Sequence, residues 1–239
     1  MTSPHDEMRS YLKQLVHRYL NTDSMNKQIA DMAQWDVPDR REALEHGAYF
    51  FKCVTYGLWR IVLVELSMLL SSSENRSLTD WLEKAKVHSG PIKPTRHSAA
   101  YPHGDREPVP NEEYCRIIDG QLQQIKAQKD VIDRIRTHRD KTIAHLDKLY
   151  FDNPEAIFND YPLSMTDVRS LMDLVRGILK SHYSYLFGSD LDMAVYSVHT
   201  LDAVLQHVQG FIRVQEDPDL LKKGFSPAKY LSDVYEGTG

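Results

Sequence analysis

The sequence is short of cysteine and of positive charge. It contains two cysteines, Cys53 and Cys115, in 239 residues, which is too few for a disulfide framework or a cysteine-rich zinc site. Its formal net charge of −5 provides no generally basic surface, so any contact with nucleic acid must depend on a local patch. We therefore expect a protein of the reducing cytoplasm.

Long apolar segments are also scarce. The one strongly apolar run, residues 58–70, contains Arg60 and Glu65 and is too short to span a bilayer. The N-terminus lacks the apolar segment of a signal peptide, and we expect no membrane partner. Hydrophobic residues make up 41% and charged residues 26% of the chain, as is usual for a globular domain with a sizeable core.

Most of the sequence has the apolar periodicity of helices. No segment alternates as a half-buried strand would, so the predicted fold class is all-α, in a single domain over 1–239. The predicted parts are N-terminal helices in 1–36, a long helix from Pro38 to about Leu70, a capped helix over 77–87, a helix from Asn111 to about Tyr150 interrupted near Thr137, a helix from the Ser164 capping box to about Phe187, a helix from Asp190 to about Val214, and a C-terminal tail over 215–239 with a last short helix at Ser226.

Residues 88–110 interrupt this pattern. The segment contains five prolines together with His88, His97 and His103, and it predicts a long, exposed Pro/His-rich loop. Such a loop is either a mobile insertion or a flap over a functional site. The spacing of the histidines fits no zinc pattern, so we predict no metal and no other cofactor.

The run from Arg139 to His145 combines charge with a packing pattern. Ile135 and Ile143 belong to an apolar helical stripe, and Arg139 occupies the stripe position between them. A charge on a packing face lowers stability unless it is paired or hydrated. Either the helix faces a polar cleft here, or Arg139 serves something other than stability. The alternative is a solvated basic helix.

The residue types in this run suit RNA cleavage. His145 titrates near neutrality and is a candidate general acid and base. Arg139 is a candidate for binding the phosphate and stabilising its transition state. Asp140 would orient one of them, unless it is an ordinary surface acid. RNA supplies its own nucleophile, the 2′-hydroxyl, so this chemistry requires no metal.

Neighbouring charges extend the candidate site. Arg136, His138 and Lys141 would form the local basic patch that binds RNA. A buried arginine needs a carboxylate, and Glu65 is one candidate partner for Arg139. The alternative places Glu65 at a solvent-exposed edge of its helix.

The segment from Arg139 to Asp147, with the sequence RDKTIAHLD, resembles the signature of the HEPN superfamily (higher eukaryotes and prokaryotes nucleotide-binding domains). That signature is an arginine, a polar residue and, a few positions later, a histidine. The form found here is most similar to the branch associated with abortive phage infection, and the resemblance extends over roughly 38–211, including the helix start near Ser164.

The resemblance implies a helical bundle that forms a homodimer, with the arginine and histidine of both subunits in one cleft. It implies a metal-independent endoribonuclease of a phage-defence or toxin–antitoxin system, with RNA and a cognate antitoxin as further partners. Some members of the superfamily only bind RNA, nucleotides or protein partners, and that remains the alternative. In one toxin group a tyrosine two residues after the histidine is modified. Asp147 occupies that position here, so the resemblance does not extend to that control.

Overall fold

The computed structural model describes residues 3–33, 38–71, 76–97, 105–144, 147–153, 155–191, 193 and 198–223. It confirms the all-α class, with one short antiparallel hairpin. The elements are α1 (Pro4–Met32), α2 (Pro38–His46), α3 (Ala48–Leu70), α4 (Leu78–Val87), α5 (Ser89–Ile92), β1 (Thr95–His97), β2 (Arg106–Pro108), α6 (Asn111–Ala127), α7 (Lys129–Arg139), a π-helix (Asp140–Ala144), α8 (Lys148–Asp152), α9 (Ala156–Asp160), α10 (Met165–Phe187), α11 (Val198–Glu216) and α12 (Pro218–Lys222).

The chain divides into two compact units. Unit 1 comprises residues 1–26 and 57–195, and unit 2 comprises residues 27–56 and 196–239. The assignment of 1–239 to a single domain remains a prediction. The predicted helix at Ser226 lies outside the described residues.

The first helices differ from the prediction in where they break. Residues 4–32 form one helix instead of two, and Ser3 caps its start by accepting a hydrogen bond from the Asp6 amide at 3.1 Å. The predicted helix from Pro38 instead divides between α2 and α3 at Gly47. A Cβ at Gly47 would meet the Phe51 ring at 3.0 Å, so the close approach of the ring favours glycine there.

The core of unit 1 is formed by the apolar stripes of its long helices. Fully or almost fully buried side chains come from α1, α3, α4, α6 and α10, namely Leu12, Leu15, Tyr19, Val62, Leu63, Leu66, Leu69, Leu78, Trp81, Leu82, Tyr114, Ile118, Val168, Leu171, Val175 and Leu179. Burial of each large apolar side chain contributes about 1.5–3 kcal/mol. The second half of α3 is thus a core helix of unit 1.

A polar network lies inside this core. The fully buried His182 donates from Nε2 to the Gln121 Oε1 atom at 2.6 Å, and its Nδ1 accepts from the Tyr114 hydroxyl at 2.9 Å. The Trp81 ring lies edge-on at 4.7 Å between centroids. Burial lowers the pKa of His182 to about 3, so the imidazole is neutral and both of its nitrogens are satisfied.

The described parts of the segment over 88–110 do not form the exposed loop that its prolines and histidines predicted. Its described parts contain α5 and the β1–β2 hairpin, and Ile92 and Val109 are buried. Residues 98–104, with His103, lie outside the described part of the chain. The prolines indicated a loop because they interrupt helical periodicity. Proline does not exclude short strands, since it is tolerated at strand edges and ends.

Arg106 anchors this hairpin to the end of α10. Its guanidinium donates to the carbonyls of Ser184 at 2.7 Å and Gly188 at 3.2 Å, which are acceptors at the C-terminus of that helix. It also donates to the Thr95 carbonyl at 2.7 Å. Gly188 ends α10 with a φ of +72°, which favours glycine. The described parts of the hairpin therefore pack on α10, and they do not form a flap over Arg139.

Helix α6 starts at the predicted residue. Asn111 is its first residue and Pro110 its N-cap, with no side-chain cap. Glu113, in the first turn of α6, forms an ion pair with Arg96 of β1, which also pairs with Glu107 of β2.

Unit 2 has its own small core. Leu44 of α2 and Leu205 and Ile212 of α11 are buried, and α11 packs on α2. By contrast, Tyr49 is 83% exposed and Phe50 is 62% exposed.

Length and composition alone would allow α3 to cross a membrane, with 33% of its most apolar window buried. A core helix of a soluble protein meets the same criterion. The half of α3 in unit 1 contains Arg60, Glu65 and Ser67, each of which contacts a polar group of that unit.

Candidate functional site

The candidate motif begins where a regular α-helix changes into a π-helix. The predicted interruption near Thr137 is misplaced, since the chain breaks earlier, at Gln128, and then continues as α7 to Arg139. The next residues, Asp140–Ala144, are π-helical. Hydroxyl groups on both sides of the transition bond back one turn, from Thr137 to the Asp133 carbonyl at 2.9 Å and from Thr142 to the His138 carbonyl at 2.6 Å. A π-turn widens the helix, and such turns occur frequently at functional sites.

Arg139 is held from two sides. Its side chain is 20% exposed. Its Nε donates to Asp140 Oδ1 at 2.7 Å, its NH2 nitrogen lies 2.7 Å from the same oxygen, and its NH1 donates to Ser67 Oγ on α3 at 3.1 Å. The Ser67 hydroxyl in turn donates to the Val64 carbonyl at 2.7 Å. The guanidinium is thus oriented by one carboxylate and one core serine.

These contacts leave part of the guanidinium available. An arginine has five N–H groups, and the three contacts above account for three of them. Within the described part of the chain the structure gives no acceptor to the other two. A partly exposed guanidinium with this remaining donor capacity is suited to an anionic ligand such as a phosphate.

The proposed pairing of Glu65 with Arg139 is wrong. Glu65 forms its ion pair with Arg18 of α1, and Arg18 also contacts the Met68 sulfur at 2.9 Å. Both acid and arginine are partly buried, so each satisfies the other's charge. Arg139 meets the same requirement with its neighbour in sequence, Asp140.

Arg60 supports the π-helix from α3. Its NH2 donates to the Thr142 carbonyl at 2.5 Å. This charged donor gives a carbonyl of the π-helix a hydrogen-bond partner from another helix. Arg60 and Ser67 are two turns apart on α3, so one face of that helix supports both Arg139 and the π-helix.

His138 is part of the packing behind the motif. It is 2% exposed, its Nε2 donates to the Tyr161 carbonyl at 2.7 Å, and its ring lies 5.1 Å from the Phe158 ring. Burial lowers the pKa of His138, which the hydrogen bond to the carbonyl partly opposes. We therefore infer that His138 has a structural role and does not contact RNA.

The predicted basic residues Arg136 and Lys141 are partly exposed. Arg136 donates to Ser71 Oγ at 3.0 Å. Lys141 lies 3.3 Å from Asp147 Oδ2 and 5.2 Å from the centre of the Tyr150 ring. Arg134 is used structurally, donating to the Pro162 carbonyl at 2.9 Å.

The remaining predicted residues have varied outcomes. His145 lies outside the described residues, whereas Asp147 caps α8 by accepting from the Leu149 amide at 3.0 Å. His88 caps the end of α4 and His97 ends β1. Among the residues that the structure describes, no three His, Cys, Asp or Glu side chains form a metal-binding group.

Helical periodicity did not reveal the two serines that bind Arg136 and Arg139. Ser67 and Ser71 are four residues apart at the end of the apolar helix α3, and both are buried. Two buried hydroxyls at a one-turn spacing in an otherwise apolar helix indicate polar partners on a neighbouring element. Arg136 and Arg139 have the matching spacing of three on α7.

The comparisons with known proteins agree with the sequence motif. The family HEPN_AbiU2, described as AbiU2, matches residues 8–206, which is most of the chain. No curated protein and no solved structure matches.

Proposed function

The chain belongs to the HEPN AbiU2 family, and from this premise we propose that it is a metal-independent endoribonuclease acting in defence against phage. The observation that supports this most strongly is the state of Arg139. A carboxylate and a core serine fix its guanidinium, yet it is partly exposed and, among the described residues, two of its donors have no acceptor, so they could bind a phosphate. An arginine needed only for packing would use its donors within the fold.

In this proposal the ribose 2′-oxygen attacks the adjacent phosphorus. A histidine takes the proton of the 2′-hydroxyl, the bond from phosphorus to the 5′-oxygen breaks, and that oxygen receives a proton. The products are a 2′,3′-cyclic phosphate and a free 5′-hydroxyl. His145 is the general acid and base, and Arg139 stabilises the extra negative charge on the phosphate oxygens. Asp140 orients Arg139.

The proposed site is composite. A base and an acid on opposite sides of the phosphate require two proton-transfer groups, and two copies of His145 across a dimer axis would provide them. We therefore propose a homodimer whose interface includes the region of Arg139, with more than about 1,000 Å² of total buried surface. Light scattering should give twice the chain mass at micromolar concentration, and a monomer at high micromolar concentration would contradict the composite site.

The direct test is incubation of the full chain with labelled RNA in EDTA. Wild type should produce fragments with 2′,3′-cyclic phosphate ends, and His145→Ala should not. His17→Ala is a matched control, because His17 lies on the exposed side of α1. Both variants should retain the helical circular dichroism spectrum and melting temperature of the wild type. RNA binding without any cleavage by the wild type would instead identify a non-catalytic binding module.

A further inference from the structure

We propose that a cleft beside Arg136 is a base subsite, which binds one unpaired nucleobase of the RNA next to the phosphate held by Arg139. The proposal rests on the proposed function for its substrate class. It adds a residue, Thr79, that would read the base.

The cleft lies within unit 1, between the end of α3 and helices α4, α6 and α7. Its volume is about 400 Å³, within the range of small-ligand pockets. Four of its nine lining residues are aliphatic, four are charged and one is a threonine. The lining residues are Leu70, Thr79, Leu122, Ile125, Lys126, Lys129, Ile132, Asp133 and Arg136.

Thr79 is the one uncharged polar residue that lines the cleft. The residue is only 9% exposed, and its buried hydroxyl has no hydrogen-bond partner among the described residues. Buried hydroxyls are almost always paired in folded proteins. The Thr79 side chain lines the cleft and its hydroxyl lacks a protein partner among the described residues, so in this proposal that hydroxyl bonds to the edge of the bound base.

The chemistry of the cleft fits a nucleobase. Aliphatic walls cover the faces of a base, as Leu70, Leu122 and Ile132 would here, and a hydroxyl reads its edge. At the rim, Lys126 and Lys129 supply positive charge for the adjoining phosphates. Lys129 is partly neutralised by its ion pair with Asp133, a residue that also lines the cleft.

The cleft adjoins the proposed reaction site through two parallel contacts. Arg139 donates to Ser67 and Arg136 donates to Ser71, so the two arginines lie side by side along the end of α3. They are three positions apart on α7, a rise of about 4.5 Å. A chain whose phosphate contacts Arg139 would therefore bring a neighbouring nucleotide to Arg136 and the cleft.

The first experiment measures binding without cleavage. The four nucleoside monophosphates are titrated into the full chain in EDTA by calorimetry. At least one should bind saturably, and Thr79→Val, which removes the hydroxyl but keeps the shape, should weaken that binding about tenfold, as expected for one lost hydrogen bond to a buried group. Thr166→Val is the matched control, because Thr166 also occupies the second position of its helix but is exposed.

A second pair of variants tests the location. Leu122→Trp should fill the cleft and abolish mononucleotide binding. Leu174→Trp, in a separate groove between α6 and α10, should not. Equal affinities for wild type, Thr79→Val and Leu122→Trp would overturn the assignment, as would the absence of binding by all four mononucleotides.

A competition experiment distinguishes an RNA subsite from a site for free nucleotide. A short single-stranded RNA should displace the bound mononucleotide from wild type. RNA that binds without displacing it would overturn the RNA subsite. Because no step requires cleavage, an inactive protein that passes these tests would contradict the proposed nuclease activity and leave the base subsite intact.

Discussion

Two buried histidines mark two differently built regions of unit 1. His182 lies in the core between α4, α6 and α10, and its hydrogen bonds go to the side chains of Tyr114 and Gln121. His138 lies behind the motif and bonds instead to a backbone carbonyl, that of Tyr161. In the first region, side chains of long helices hydrogen-bond to one another. In the second, side chains hydrogen-bond to the backbone of short elements.

The difference shows where stability and function reside. Around His182 the helices are long and each polar atom of the imidazole has an internal partner. Around His138 the π-helix, α8 and α9 are five residues each, and helices this short have little stability of their own. Hydrogen bonds from Arg60, Arg134 and His138 to carbonyls hold this region together. We infer that the motif region can be altered with smaller losses of global stability than the His182 core.

The largest expected effect separates the two histidines directly. His182→Ala removes a fully buried ring and leaves Tyr114 and Gln121 without a partner, so the free energy of unfolding should fall by about 4 kcal/mol. His138→Ala removes one hydrogen bond and part of a ring contact and should lower it by about 2 kcal/mol. Urea denaturation followed by circular dichroism measures both. Equal losses would contradict the distinction between the regions.

The pH dependence of stability sharpens the same comparison. The folded pKa of His182 is lowered to about 3, below its unfolded value of about 6.5. The unfolded chain therefore binds a proton that the folded chain excludes, and stability present above pH 6.5 is lost as the pH falls toward 3. The expected slope is about 1.4 kcal/mol per pH unit from this group alone.

Substitution tells which histidine causes that slope. His138 contributes in the same direction, because burial also lowers its pKa. His182→Phe should remove most of the slope between pH 6 and 4, and His138→Phe should remove less. A slope that persists unchanged in His182→Phe would show that the imidazole is protonated within the fold.

Arg60→Met tests the support of the π-helix. The substitution keeps much of the length of the side chain but removes the donor to the Thr142 carbonyl, and we expect a loss of about 1–2 kcal/mol. As a positioning residue Arg60 should affect kcat more than KM, since the substrate contacts of Arg139 remain. A rise in KM with kcat unchanged would exclude this role.

The smallest effect is expected at the basic surface. Arg136→Ala and Lys141→Ala together should weaken binding of all RNA sequences and flatten the dependence of affinity on salt, because each lost phosphate contact reduces counterion release. Stability should change by no more than about 1 kcal/mol, since both side chains are partly exposed. Binding measured by fluorescence anisotropy at several salt concentrations gives the slope, and an unchanged slope would remove this surface from the RNA path.

The two regions were not equally predictable from the sequence. The apolar stripes of α3, α6 and α10 and the Ser164 capping box directly specify long helices, and the structure confirms them. The His182 network was not predicted, because Tyr114, Gln121 and His182 come from two helices whose relative register is set only by packing. The apolar periodicity of α10 places His182 on the buried face but does not indicate its hydrogen-bond partners.

The motif region shows more clearly what the sequence alone does not predict. The misfit of Arg139 in an apolar stripe identified it as a special residue, but its partners depended on tertiary contacts. Glu65 was a candidate partner for Arg139, but it forms its ion pair with Arg18 of α1. The π-helix was also not predicted, and the hydrogen bond that its Thr142 carbonyl accepts from Arg60 of α3 is a tertiary contact that local sequence does not encode.

The claim that Arg139 is held ready for a phosphate is tested most directly by cleavage assays on two variants. Arg139→Ala should lower the rate of RNA cleavage by about 100-fold or more while the melting temperature stays close to that of wild type. Arg139→Lys should recover little, because a point charge lacks the fork that binds Asp140, Ser67 and phosphate together. Full activity in Arg139→Lys, or loss of activity accompanied by unfolding, would contradict this account.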